Sequence, residues 1–392
     1  MDGTQSDKQS RRLVITGLFS RILTDTSSQM FYAFFPILAA GMGVSSVTFG
    51  RLLSVRSSAG FLTPVFGNMI ERRGYRVTLP LILIAASIGS LLLAASPSLP
   101  FIVVAIFIMG IGTTVFQPLF AAYTSNTFPP EYRARYMGMI EYGWALSSIV
   151  GVYVVGQVLE ISSWRVPLIG IGVLFAIMAA VFAQLLRNQP DADDTPPISM
   201  WEQFHITENR KEAYGAVFMQ SIIIISALHF FISYSIWLND QYQFDAVQLA
   251  SIVLTFGFVD LIGSGLVSLV LDRLGRRNAL MLGSGLSSIA FMLLVLFNQW
   301  GLIPALGMLF FGRFLFEFTI VSGVITVSEQ SPNQRSRVMS LLGFFGTISQ
   351  ALAGLTGPIA YLKFGLAGLS IPTAIGFVIV TLIARRYIRP TP

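Results

Sequence analysis

The sequence predicts an all-α membrane protein, with twelve transmembrane helices in two pseudo-symmetric six-helix bundles. Three observations carry that expectation. Of 392 residues, 54% are hydrophobic and only 11% charged, against roughly a quarter charged in ordinary soluble domains. Apolar stretches near 20 residues long, enough to cross a bilayer, recur along the whole chain. Two sequence signatures also repeat about half a chain apart. GNMIERRGYR from Gly67 to Arg76 is answered by SLVLDRLGRR from Ser268 to Arg277, and PEYRARYM from Pro130 to Met137 by PNQRSRVM from Pro332 to Met339.

The apolar stretches give spans at 13–39, 47–69, 77–95, 100–126, 136–158 and 164–186, then at 213–238, 246–271, 278–297, 302–328, 338–361 and 366–384. The first run is too long for a signal-peptide core and no small-residue cleavage site follows it, so insertion without cleavage is expected. Residues 187–212 are the one marked shift in composition. They read as an acidic, proline-ended linker, then a short surface helix striped by Ile198, Trp201, Phe204 and Ile206. The expected organisation is a tail at 1–12, a bundle at 13–186, this linker, a second bundle at 213–387 and a tail at 388–392.

Nineteen of the 25 Lys and Arg residues fall in the two tails, the linker region and the loops near 72, 133, 273 and 335. The alternate set of loops holds only Arg165 and Lys363. By the positive-inside rule both termini are cytoplasmic, in the inner membrane. The net charge of +6 is then a topology signal, and no nucleic-acid partner is expected. With no cysteine and two histidines, disulfides and thiolate metal sites are excluded, and no metal or cofactor is expected. The chain carries no GxxxxGK[ST] loop for a nucleotide, no HExxH and no GxSG. An enzyme is not expected, and energy would have to come from a gradient.

The repeated loop, GxxxDRxGRR between spans 2 and 3 and between spans 8 and 9, resembles the signature loop of the major facilitator superfamily. Glu71 replaces the usual Asp, Tyr75 a basic residue and Ser268 the leading glycine. The resemblance covers nearly the whole chain and implies secondary transport by alternating access. It also implies a gating role for Gly67, Glu71, Arg72, Gly74 and Arg76, and for Asp272, Arg273, Gly275, Arg276 and Arg277. Physically, a carboxylate at the end of a span followed by an arginine can latch onto a neighbouring helix, and the glycines permit the tight turn. The same residues could instead only anchor helix ends at the interface.

Eight charges lie inside spans: Arg21, Asp25, Arg51, Arg56, Glu141, Asp260, Arg313 and Glu317. Each costs about 2.5–3.5 kcal/mol at the bilayer centre, so they must face protein or water. Spans 3, 6, 9 and 12 carry none, which agrees with the superfamily arrangement in which those helices face outward. Arg21 with Asp25, and Arg313 with Glu317, stand four apart on one helix face. The pairs expected first are Asp25 with Arg21 or Arg56, and Glu317 with Arg313. Asp25, Asp260, Glu317 and Glu141 are the proton-coupling candidates. Arg21, Arg56, Arg313, Gln29, Gln117 and His229 are candidates for substrate contact or charge pairing, although for His229 a satisfied packing histidine is the favoured reading.

Helix 1 reads RILTDTSSQMFYAFFP from Arg21 to Pro36, which is similar to the first helix of bacterial efflux permeases. The expectation is a monomeric, proton-coupled exporter of a small organic solute or drug. The alternatives are an uptake symporter for a metabolite or organic anion, and, more remotely, a non-transporting sensor or scaffold.

Overall fold

The computed structural model describes residues 3–128, 130–186 and 205–388. The linker stripe at Ile198, Trp201 and Phe204 lies outside them, as do the side chains of Ser268 and Asp272. The described chain is all-helical. Nine helices are long and apolar enough to span a membrane, and a tenth arises if Phe35–Gly41 and Ser46–Arg73 form one bent span. The polar first helix, Gly3–Ala33, makes eleven. The stretch Arg335–Tyr387 makes the twelfth, because it is two helices joined at Gly365, whose φ of 59° and ψ of −146° are not helical.

These are α1 (Gly3–Ala33, continued by Phe35–Gly41), α2 (Ser46–Arg73), α3 (Tyr75–Ala95), α4 (Leu99–Thr127), α5 (Glu131–Ile161) and α6 (Arg165–Leu185). Then come α7 (Arg210–Tyr242), α8 (Ala246–Leu274), α9 (Arg276–Gln299) and α10 (Leu302–Glu329), with α11 and α12 before and after Gly365. Pro36 interrupts α1: its piece Phe35–Gly41 starts afresh with the proline in the first turn, where the missing N–H costs nothing. α5 contains a π-helical turn at Ser147–Val152.

Contacts divide the chain into two units. One comprises Met1–Met42, Val55–Pro197 and Ala246–Leu254, the other Gly43–Ser54, Ile198–Asp245 and Thr255–Pro392. Each takes most of its helices from one half of the sequence and a short piece of α2 or α8 from the other. In the second unit the piece of α2 packs on α11, where the Ser54 hydroxyl donates to Ala351 O at 2.6 Å. In the first, Gly156 of α5 meets Ala250 of α8 so closely that a Cβ would overlap it.

Small residues and hydroxyls hold neighbouring helices together, as expected where lipid removes most of the hydrophobic drive for helix pairing. A Cβ on Gly112 of α4 would overlap Ala86 of α3, and one on Gly89 would overlap the Met109 backbone. Ser87 and Ser90 of α3 donate to Gly172 O and Leu168 O of α6 at 2.7 and 2.8 Å. In the second unit Thr373 of α12 donates to Ser226 O of α7 at 2.8 Å.

The residues just before α7 are fastened to the turn after α10. The Thr207 and Glu208 amides donate to Gln334 Oε1, Asn209 Nδ2 to Gln330 O, and Ser331 Oγ to Glu208 O. The Glu208 carboxylate accepts from both the backbone and side-chain nitrogens of Asn333, each at 3.0 Å. Gln334 Nε2 bonds Thr207 Oγ1, and Arg337 bonds His205 O.

Candidate functional site

In the second unit α8 and α10 bring three charges together. Arg313 grips Asp260 with two parallel bonds, Nε to Oδ1 at 2.7 Å and a terminal nitrogen to Oδ2 at 2.5 Å. This fork geometry is the strong form of an arginine–carboxylate pair. The guanidinium lies over the rings of Phe231, Phe256 and Phe316, at 4.8, 5.2 and 5.2 Å from their centroids. Aromatic faces attract a cation and also keep water from the pair. Asp260 is 1% exposed and Arg313 7%.

Glu317 is not the partner of Arg313 that the four-residue spacing suggested. Its Oε1 accepts from Ser264 Oγ of α8 at 2.8 Å. The reason is reach: the long arginine side chain crosses to the next helix and takes Asp260, which leaves Glu317 a hydroxyl donor. Gly263 makes room for this carboxyl, since a Cβ there would stand 3.2 Å from Glu317 Cβ.

In the first unit Arg21 Nε lies 2.8 Å from Asp25 Oδ2, and its terminal nitrogen 3.2 Å from Glu141 Oε2. One arginine thus stands between two carboxylates, one from its own helix and one from α5. The Arg21–Asp25 contact has ion-pair distance but not hydrogen-bond geometry, so Asp25 Oδ2 is buried without a hydrogen-bond donor. Gly143 lets α5 approach, because a Cβ there would stand 2.5 Å from Arg21 Cγ. Asp25 is 8% exposed, whereas the Glu141 side chain is 62% exposed.

Arg56 does not join Asp25. It donates to Ser27 O and Ser28 O at 3.3 and 3.5 Å and to Tyr32 Oη at 3.0 Å, beneath the rings of Phe31 and Tyr32. Its role in the fold is to tie α2 to α1 just before the break at Phe34. Gln29 is satisfied within α5's π turn, donating to Ser147 Oγ at 2.8 Å and accepting from Ser148 Oγ at 2.6 Å. Gln117 donates to Thr24 Oγ1 at 2.9 Å. His229 has both ring nitrogens engaged, with Thr356 Oγ1 at 2.9 Å and Gly368 O at 3.0 Å. A carbonyl can only accept, so Nε2 carries the proton, and the ring staples α7 to α11 and α12.

Gly74 and Gly275 make the tight turns of the two signature loops at φ 74° and 72°. Glu71 and Arg72 are exposed, and among the described residues no ion pair to Glu71 is seen. Arg76 donates to Ala183 O at 3.3 Å. In the second copy Arg276 pairs with Glu329 at the end of α10. Glu329 and Ser264 had no motif to mark them; only their places one helix over from Arg276 and Glu317 do.

The sequence profile of the Major Facilitator Superfamily matches residues 17–353 and 213–392. The chain is 26% identical over 177 residues to the uncharacterized MFS-type transporter YhcA of Bacillus subtilis, covering 45% of this chain. It is 27% identical over 151 residues, 37% of this chain, to the multidrug efflux pump SdrM of Staphylococcus aureus. The matched part spans 33% of the length of each of those relatives. Among solved structures, that of a D-xylose-proton symporter superposes with a TM-score of 0.75 at 14% identity, over 99% of both chains.

Proposed function

The chain belongs to the Major Facilitator Superfamily, a family of transporters rather than enzymes, and from that membership we propose a proton-coupled exporter of a small organic solute. The observation that supports coupling is the α8–α10 cluster. One buried cation, Arg313, makes its two-pronged pair with Asp260, while Glu317 beside them takes a hydroxyl for its hydrogen-bond partner. A buried carboxyl next to a paired acid can take up a proton without breaking the pair, and two acids around one base favour a single shared proton. Asp25 and Glu141, sharing Arg21, repeat the theme in the other unit. In this reading substrate and proton bind in turn as the protein exchanges access between the two sides.

Export is favoured by the efflux-type first helix and the similarity to SdrM. Uptake by symport is the second reading, and the shared fold with a D-xylose-proton symporter keeps it in play. The signature loops face the cytoplasm in either case, since they lie on the side that, with the two tails and the linker region, holds 19 of the 25 Lys and Arg residues, and the protein works as a monomer.

The test is purified protein in liposomes with an internal pH dye, scanning drugs, sugars and organic acids under an imposed pH gradient. With an acidic interior, an antiported compound enters as protons leave and the interior turns more alkaline. A symported compound carries protons in, and the dye moves the other way. Coupling is refuted if no compound moves protons although binding is detected, or if Glu317→Gln and Asp25→Asn leave proton movement unchanged.

A further inference from the structure

On the side of the second unit that carries the signature loop, a cleft of about 370 Å³ opens between the start of α7, the start of α9 and the end of α12. Four cations line it, Lys211, Arg277, Arg385 and Arg386, against one acid, Glu212, with Tyr387 alongside. None of these residues touches the charge clusters assigned to transport.

The fold forces the cations together. Gly215 of α7 lies against Tyr387, whose Cβ stands 2.7 Å from where a glycine Cβ would be, so the ends of α7 and α12 cannot move apart without losing that contact. The Arg386 guanidinium lies over the Tyr387 ring at 5.8 Å. The turn at Gly275 starts α9 with two arginines, of which Arg276 is held by Glu329. Its neighbour Arg277 goes to the cleft, where its Nε is buried with no acceptor. Neither α7 nor α9 has a side-chain N-cap, so the positive ends of both helix dipoles add to the field.

Like charges gathered this way repel unless an anion joins them. Arginine forks match the oxygens of a phosphate, and a basic recess at a helix end lies at the depth of lipid headgroups. We propose that this cleft binds a phosphate ester, the headgroup of an anionic phospholipid or a soluble phosphate compound, separately from the transported solute.

The test uses the delipidated full-length protein in neutral detergent, with intrinsic tryptophan fluorescence during heating and direct titration as readouts. Short-chain phosphatidylglycerol and phosphatidic acid are the lipid probes, with phosphatidylcholine as control; inorganic phosphate and glycerol 3-phosphate are the soluble probes. An anionic probe should raise the melting midpoint where phosphatidylcholine does not. Each of Arg277→Gln, Arg385→Gln and Arg386→Gln should weaken its binding about tenfold, and Glu212→Gln should tighten it. A response confined to the lipids assigns the site to a headgroup, and one confined to the soluble probes assigns it to a free phosphate. If an arginine variant fails to fold, the exposed Lys211→Gln serves in its place. The proposal is overturned if phosphatidylcholine binds as tightly as every anionic probe, or if the folded variants bind as the wild type does.

Discussion

Arg313 and Asp260 are worth more to each other than either is to the bilayer. Removing one partner of a buried pair leaves an uncompensated charge, at a cost of about 3–5 kcal/mol, whereas replacing both by apolar residues can be nearly neutral. Asp260→Leu and Arg313→Leu should therefore each lower the melting midpoint in detergent sharply, and the double variant should melt above both. Glu317→Gln should behave differently: the new amide oxygen can still accept from Ser264, so the protein should melt close to the wild type while proton movement is lost. A matched loss of stability would make Glu317 a structural residue. Energetic cost alone led the sequence to expect all eight in-span charges away from lipid; Asp25, Arg56, Asp260, Arg313 and Glu317 are buried, whereas Arg51 and Glu141 are exposed. Spacing found one partner, Asp25 for Arg21, but could not choose the others, because it fixes a shared face along one helix and not which neighbour faces it. Arg313 with Glu317 looked right by that rule, and Arg56 reached backbone carbonyls that no residue pattern encodes.

Helix contacts made by missing side chains set the tolerance of each element. Gly112→Val should force α3 and α4 apart and cost on the order of 1–3 kcal/mol, seen as a lower melting midpoint and yield. Gly285→Ala, in α9 with nothing within 4 Å of the new methyl, should instead stabilise by about 0.5–1 kcal/mol through helix propensity. Equal effects at the two positions would mean that packing is not the cause. At this scale hydropathy located each span to within a few residues over most of the chain, since bilayer thickness dictates length. It was less informative where polar residues or backbone geometry decide. The observed α1 begins ten residues before the apolar run at Leu13 and restarts at Phe35, and the π turn in α5, where Ser147 and Ser148 bond Gln29, leaves no mark in hydropathy.

Across the molecule, the absence of native cysteine permits a direct test of orientation. In intact cells an impermeant maleimide should label Ser162→Cys, between α5 and α6, and leave Asn278→Cys, at the start of α9, unlabelled until the membrane is opened; the reverse pattern would invert the topology. The duplicated loops made the twofold organisation readable, because a repeat at half the chain length is the trace that doubling a six-helix unit leaves. The reciprocal pieces at Gly43–Ser54 and Ala246–Leu254 were not readable, as nothing in an apolar run says which partner it meets.

The fastening of residues 205–209 onto the turn after α10 makes the polypeptide divisible. Every bond in that cluster joins two parts of the same unit, from His205, Thr207, Glu208 and Asn209 to Gln330, Ser331, Asn333, Gln334 and Arg337. A gene split before His205 therefore cuts none of them, and two co-expressed fragments should reassemble into an active pair. A split between Asn209 and Arg210 would strand the cluster on the wrong fragment and should yield little.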